Sequence, residues 1–143
     1  MHKTLQKHYM ILMLPGLGLF LVLGLAFALN LVSPGWFVLS SRVYVIVFVA
    51  AVMTAIAGPI FLRTLFAHSV RARHHVDAAD FLKFQRRLLQ VSQTTVYLAV
   101  AAVWFSFPRF YAAAIVLMGL YAMYYYYPSR QRIDFDKKIF RVT

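Results

Sequence analysis

Cysteine is absent from this 143-residue chain, and acidic residues are nearly so: four aspartates stand against 15 lysines and arginines. Without a thiol there is no disulfide, no thiol relay and no cysteine-held iron–sulfur cluster. Asp77, Asp80, Asp134 and Asp136 all lie in or beside basic segments, so no long apolar run carries the carboxylate that a proton-coupled carrier or ion path uses. An autonomous proton or cation antiporter is thereby disfavoured. A glycine-rich phosphate loop is missing, as is a Ser–His–Asp set with a nucleophile elbow. None of the five histidines falls in the middle of an apolar run, where the ligands of a membrane-embedded b-type haem would sit. The sequence therefore predicts no catalytic residue, no cofactor and no metal site.

What the chain has in excess is apolar length. Hydrophobic residues make up 62% of it, and runs near 9–32, 43–62, 88–107 and 110–127 each approach the ~20 residues that cross a bilayer. The predicted fold is all-α: a polytopic integral membrane protein with four transmembrane helices, one domain over residues 1–143, with no room for a separate soluble domain. Four crossings put both termini on one side. Lys3, Lys7, Arg63, Arg71, Arg73, Lys83, Arg86, Arg87, Arg130, Arg132, Lys137, Lys138 and Arg141 share that side, leaving Arg42 and Arg109 on the other, and basic connections mark the cytoplasm. The arrangement resembles that of many small bacterial membrane proteins, which makes a bacterial inner membrane the expected location. The first run reads as a span although Ala26-Phe27-Ala28 has the pattern of a cleavage site: it continues through Leu31 and Val32, past the ~7–15 residues of a signal core. Because the charges behind the net +11 border these spans, anionic headgroups are the expected partner and nucleic acid is not.

Small residues recur along the spans. Gly16, Gly18 and Gly24 mark the first, Ala51, Ala55 and Gly58 the second, and Gly119, after Ala112, Ala113 and Ala114, the fourth. Such residues let helix backbones approach closely in lipid, so they are candidate contacts for a partner helix, in this bundle or in another subunit. Gly58-Pro59 predicts a kink near the inner end of the second span, because proline gives up a backbone donor and frees a carbonyl one turn back. Pro34 and Gly35, followed by Trp36 and Phe37, predict one outer turn, and Pro108-Arg109 predicts the other.

Beyond Pro59 the pattern turns amphipathic, with Phe61, Leu62, Leu65, Phe66 and Val70 interleaved with Arg63, His68, Arg71, Arg73, His74 and His75. Asp77 has the placement of an N-cap for the third helix, with Asp80 three residues on. The expected result is a basic cytoplasmic helical hairpin. Arg63, Arg71, Arg73, Arg86 and Arg87, together with Arg130 and Arg132 of the tail, are candidates for docking headgroups or a partner. His68, His74 and His75 invite a metal reading, but adjacent imidazoles on a helix point about 100° apart and the neighbouring Arg71 and Arg73 repel a cation. Gln93, Thr94 and Thr95 form the densest polar patch beside an apolar core and could line a small polar conduit or fix packing. Tyr124 to Tyr127 sample every face of a helix and read as an interfacial anchor. In the tail, Ile133, Phe135, Ile139 and Phe140 suggest docking on lipid or on a partner.

These features favour a non-catalytic small membrane subunit that packs against a larger membrane complex and helps to assemble or stabilise it, with other integral membrane subunits or a second copy as partners. Two alternatives compete: a small oligomeric transporter or channel with a neutral polar lining, and a lipid-handling membrane enzyme using the cytoplasmic His and Asp residues. Small four-helix multidrug carriers match in span count alone, since the acidic residue of their first span has no counterpart here.

Overall fold

The computed structural model describes residues 2–33, 39–71 and 75–142. Pro34, Gly35, Trp36 and Phe37 of the first outer turn, and Arg73 and His74 of the hairpin, lie outside them. The fold is all-helical: α1 (His2–Ala28), α2 (Ser41–Val52), a π turn (Met53–Ala57), α3 (Gly58–Val70), α4 (Ala78–Trp104), α5 (Arg109–Tyr125) and α6 (Arg130–Phe140). An isolated bridge between Val76 and Val142 is the extent of β pairing among the described residues.

The predicted kink takes the form of a π turn. Pro59 has no N–H for the carbonyl of Ala55, four residues back, and its ring would crowd that oxygen. In the widened turn before it, the Gly58 N–H reaches the Met53 carbonyl five residues back, so the ladder reopens while the helix carries on. Thr54 fastens the loosened turn: its hydroxyl lies 2.9 Å from the Ala50 carbonyl and 3.3 Å from that of Ala51. As a result α2, the π turn and α3 form one 30-residue rod, Ser41–Val70.

That rod and α1 are each long and apolar enough to cross a membrane, and a third crossing arises if α5 and α6, bent by 75° at Tyr126–Ser129, count as one broken span. Four spans were expected. The shortfall has a compositional reason: α4 carries Asp80, Lys83, Arg86 and Arg87 in its first turns, leaving 17 uncharged residues that include Gln90, Ser92, Gln93, Thr94 and Thr95, and α5 is itself 17 residues long. At about 1.5 Å per residue each apolar segment reaches roughly 25 Å, just under the ~30 Å hydrocarbon core. The two qualifying helices bury little of themselves within the chain. Only 11% and 17% of their most apolar stretches are buried, leaving Leu21, Val22, Leu25, Ile46 and Ile60 at the surface. So much contiguous apolar surface belongs in a membrane or against another apolar surface.

α4 is the hub. It packs against α1, α3, the π turn and α5, burying Phe81, Phe84, Leu88, Leu89, Val96, Ala99 and Ala102 together with Gln85, Ser92, Gln93 and Thr95. The core divides into two clusters. One joins Leu5 and Tyr9 of α1 to Phe81, Phe84, Leu88 and Leu89 of α4, to Ala122 and Tyr126, and to Ile133 and Phe140 of α6; the other joins Ala51 to Ala99, Ala102, Phe107 and Ile115. Both described termini and the α3–α4 connection thus gather at one end, which carries the basic segments. At the opposite end α1 and α4 close on left-handed residues, Asn30 (φ 53°) and Ser106 (φ 49°). Their next residues, Leu31 and Phe107, donate back to the carbonyls of Ala26 and Ala102 at 3.0 Å each, the Schellman arrangement with a polar residue in the place glycine usually takes.

The small residues divide between inside and outside. Gly16, Ala51, Ala55 and Gly119 are buried within the chain, and the Gly58 Cβ position is only 2.9 Å from both the Met53 carbonyl oxygen and Val91 Cγ1. Gly18 and Gly24 are exposed, with nothing within 4 Å of a Cβ. Gly58→Leu is expected to lower the stability of the detergent-solubilised protein by about 1–3 kcal/mol through overpacking, whereas Gly18→Leu stays within ~0.5 kcal/mol. Thermal unfolding followed by circular dichroism compares them, and equal melting temperatures would contradict the close packing at the π turn.

Candidate functional site

The basic end is organised by a buried carboxylate. Ser129 opens α6 by accepting from the Arg132 N–H at 3.3 Å, and the helix then presents Ile133, Asp136 and Phe140 to the core. Asp136 is 1% exposed. One of its oxygens is paired with the Arg63 guanidinium of α3, and the other accepts from Gln85 Nε2 of α4 at 2.9 Å. Both oxygens are satisfied, the condition under which a buried charge is tolerable. Around this pair, Phe66 stacks on Phe84 at 4.2 Å, and Phe140 meets both rings edge-on at 5.1 and 5.8 Å. The consecutive helices α3 and α4 are locked here to the distant α6, and the Val76 N–H adds a bond to the Arg141 carbonyl at 3.2 Å. Asp77 stands at the N-terminus of α4 in extended geometry, but its side chain makes no capping bond.

This lock changes two expectations. Arg63, a candidate for docking headgroups or a partner, is instead engaged inside the chain by Asp136. The tail, expected to dock on lipid or on a partner, docks through Ile133 and Phe140 on its own bundle, while Phe135 and Ile139 remain 62% and 52% exposed. Asp136 was not among the candidate site residues. The signal was present, since an aspartate three residues after Ile133 and four before Phe140 stands on the apolar stripe of an amphipathic helix.

Beside the lock, α3 and α4 diverge into a cleft of about 550 Å³. Leu62, Leu65, Phe66 and Phe84 form its apolar part, and His68, Asp80, Lys83 and Arg87 its polar rim. Lys83 and Arg87 are four residues apart, so both project from one face of α4. The volume and composition suit a small amphiphile or an anchoring side chain with an anionic group. Of the predicted docking residues, Arg87 lines this cleft, Arg71, Arg86 and Arg130 are exposed nearby on the same end, and Arg132 lies over the rings of Tyr125 and Tyr126 at 4.6 and 5.4 Å. Lys83 and His68 join the site through the fold; the sequence alone offered only their membership of the basic hairpin. Within the tyrosine run Tyr124 is exposed and Tyr126 is buried at 4%, so the anchor is shared between surface and core.

The polar patch on α4 splits by face. Thr94 is exposed and turns its hydroxyl back to the Gln90 carbonyl at 2.9 Å. Thr95 is fully buried and shares a 2.9 Å hydrogen bond with Thr54 of the π turn. Gln93 is buried at 1%, and neither atom of its amide closes a hydrogen bond of regular geometry. The Tyr9 hydroxyl lies beside it but is committed to the Met123 carbonyl at 2.7 Å, so it can only accept from Gln93. Gln93 and Thr95 line neither the hairpin cleft nor the two cavities along α1, α4 and α5.

No family model, curated protein or solved structure matches the chain. Among the described residues no group of three His, Cys, Asp or Glu side chains is placed to hold a metal ion, and His74 lies outside them. What the basic end offers is attraction and shape: an apolar cleft whose rim carries Lys83, Arg87, His68 and the single carboxylate of Asp80, beside a satisfied buried ion pair.

Asp136→Asn removes the charge that holds Arg63. Because Arg63 is 31% exposed and can reach solvent, the loss is expected at about 1–3 kcal/mol, below the range for a fully buried pair. It should loosen α6 selectively. Limited trypsin digestion, which cuts at Arg130, Arg132 and Lys137, should proceed several-fold faster in Asp136→Asn than in the exposed-site variant Asp134→Asn, and equal rates would rule out the lock.

Proposed function

We propose that this protein is a non-catalytic, four-span membrane subunit that helps to assemble or stabilise a larger membrane complex, binding an anionic segment of a partner at its basic end. In this reading α4 and α5 complete the crossings begun by α1 and the α2–α3 rod, slightly short and therefore flanked by interfacial tyrosines and cations that reach the headgroups. Both termini and the α3–α4 connection face the cytoplasm of a bacterial inner membrane, by 13 cations against two.

The observation that carries the reading is the cleft between α3 and α4. It combines an apolar floor with a rim of Lys83, Arg87, His68 and one carboxylate, Asp80, and exposed Arg71, Arg86 and Arg130 make the surrounding surface net positive. A partner with an apolar anchor beside Asp or Glu complements both halves. Each cation is worth ~1 kcal/mol at most near an anionic membrane surface, so the charges steer and orient while the cleft supplies specificity.

Purification in mild detergent followed by native mass spectrometry tests this directly. Stoichiometric foreign subunits are expected, and exchanging Lys83 and Arg87 for Gln should reduce their recovery about tenfold in a salt-sensitive manner. Unchanged recovery, or a homo-oligomer alone, would overturn the reading. Gln93→Leu separates docking from conduction: a docking subunit should keep its partner and gain up to about 1–3 kcal/mol from loss of the unsatisfied amide. Loss of function with assembly intact would favour transport.

A further inference from the structure

We infer that α6 is an interfacial helix that lies flat in the surface of a phospholipid bilayer, with Phe135 and Ile139 at the acyl boundary and Arg130 and Lys137 among the headgroup phosphates. The inference rests on the four-span reading, in which α5 crosses the membrane. α5 exposes Leu117, Leu120, Tyr121, Tyr124 and Tyr125, a surface that passes from aliphatic to tyrosine over its last turns, and tyrosine belongs at the headgroup boundary. At that level the chain turns by 75°. Six of the 11 residues of α6 are charged, so it cannot continue into hydrocarbon. With α5 along the bilayer normal, α6 departs from the membrane plane by about 15°, the complement of its 75° bend. Its length of roughly 16 Å then displaces the far end by roughly 4 Å, less than the ~5–8 Å depth of one headgroup layer.

The register of α6 fits that placement. Ile133, Asp136 and Phe140 face the core; Arg132, Phe135 and Ile139 form a second stripe at spacings of three and four, and Arg130, Asp134 and Lys137 a third at four and three. At about 100° per residue the second and third stripes lie about 100° to either side of the first, hence on opposite sides of the helix. Arg132 shows which side is which. Its guanidinium sits over the Tyr125 and Tyr126 rings of α5 at 4.6 and 5.4 Å, so its stripe faces back toward the end of α5, and lipid that covers the exposed tyrosines there also reaches Phe135 and Ile139. These two are 62% and 52% exposed. On the opposite side Arg130 and Lys137 point to the aqueous face of the headgroup layer, where their long side chains meet phosphates. An apolar side toward lipid and a cationic side away from it is the pattern of a helix that lies in the interface. The bonds of Asp136 to Arg63 and Gln85 tie α6 to the bundle at that depth.

Because the chain has no cysteine, single cysteines can be spin-labelled one at a time in the full-length protein. In nanodiscs of phosphatidylglycerol and phosphatidylcholine, electron paramagnetic resonance compares each label's accessibility to oxygen, which concentrates in lipid, with its accessibility to a water-soluble nickel chelate. Labels on Phe135→Cys and Ile139→Cys should give an oxygen-to-nickel ratio at least about fivefold above those on Asp134→Cys and Lys137→Cys. A label on Leu117→Cys, exposed on α5, should read as lipid-buried. Equal ratios on the two sides of α6, with Leu117 in lipid, would leave the Phe135 stripe in water for a protein partner and overturn the inference while the four-span reading stands. Labels at Phe135 and Ile139 shielded from both reagents would overturn it in favour of a contact between copies. A nickel-accessible Leu117 would remove α5 as a crossing, and both readings with it.

Discussion

The polar groups on the inner face of α4 are what the architecture shelters, while Thr94, on the outer face, returns its hydroxyl to the Gln90 carbonyl. Gln85, Ser92, Gln93 and Thr95 are buried on α4, the one long helix with four charged residues and five Gln, Ser or Thr beyond them, while α1 and the α2–α3 rod pack against it and expose most of their own surface. In water the arrangement would be inverted, with apolar faces inward. In a bilayer an unsheltered amide or hydroxyl loses its hydrogen-bond partners, so the least lipid-soluble helix becomes the centre. Gly16 and Gly119 let α1 and α5 approach it: a Cβ on Gly16 would stand 3.0 Å from Val96, and one on Gly119 3.4 Å from Ala99.

The two ends of the bundle are then finished differently. At the basic end an ion pair, an amide and stacked phenylalanines join α3, α4 and α6, turning a short amphipathic tail into part of the core. That end is strongly positive at its surface, with Arg71, Arg86, Arg87 and Arg130 exposed. At the opposite end α1 and α4 stop on left-handed Asn30 and Ser106.

Proline shows how a local rule and a global fold interact. Pro59 requires the ladder to be interrupted, and the interruption could have been a sharp bend. Thr54 and Thr95, facing one another at 2.9 Å, instead stitch the widened turn to α4, and the rod continues into the hairpin. Tertiary contact chose among the responses that proline allows.

Much was legible in the residues alone. Apolar length and period specified helices, the distribution of cations specified a basic end, and Pro108 specified where α5 begins, because each rests on local composition. The expected small-residue faces were visible too, but not which of them the bundle uses for itself, since Gly16 and Gly24 differ only in what stands opposite. Likewise, nothing local separates Arg63, paired in the core, from Arg71, exposed at the surface. Glycine and arginine acquire those roles from neighbours 33 to 80 residues away: Val91 beside Gly58, Asp136 beside Arg63, Val96 beside Gly16. Composition and period determined the solvent and the elements; contact across the bundle decided which charges were silenced and which glycines were packed over, because burial is a property of the packed chain and of no single segment.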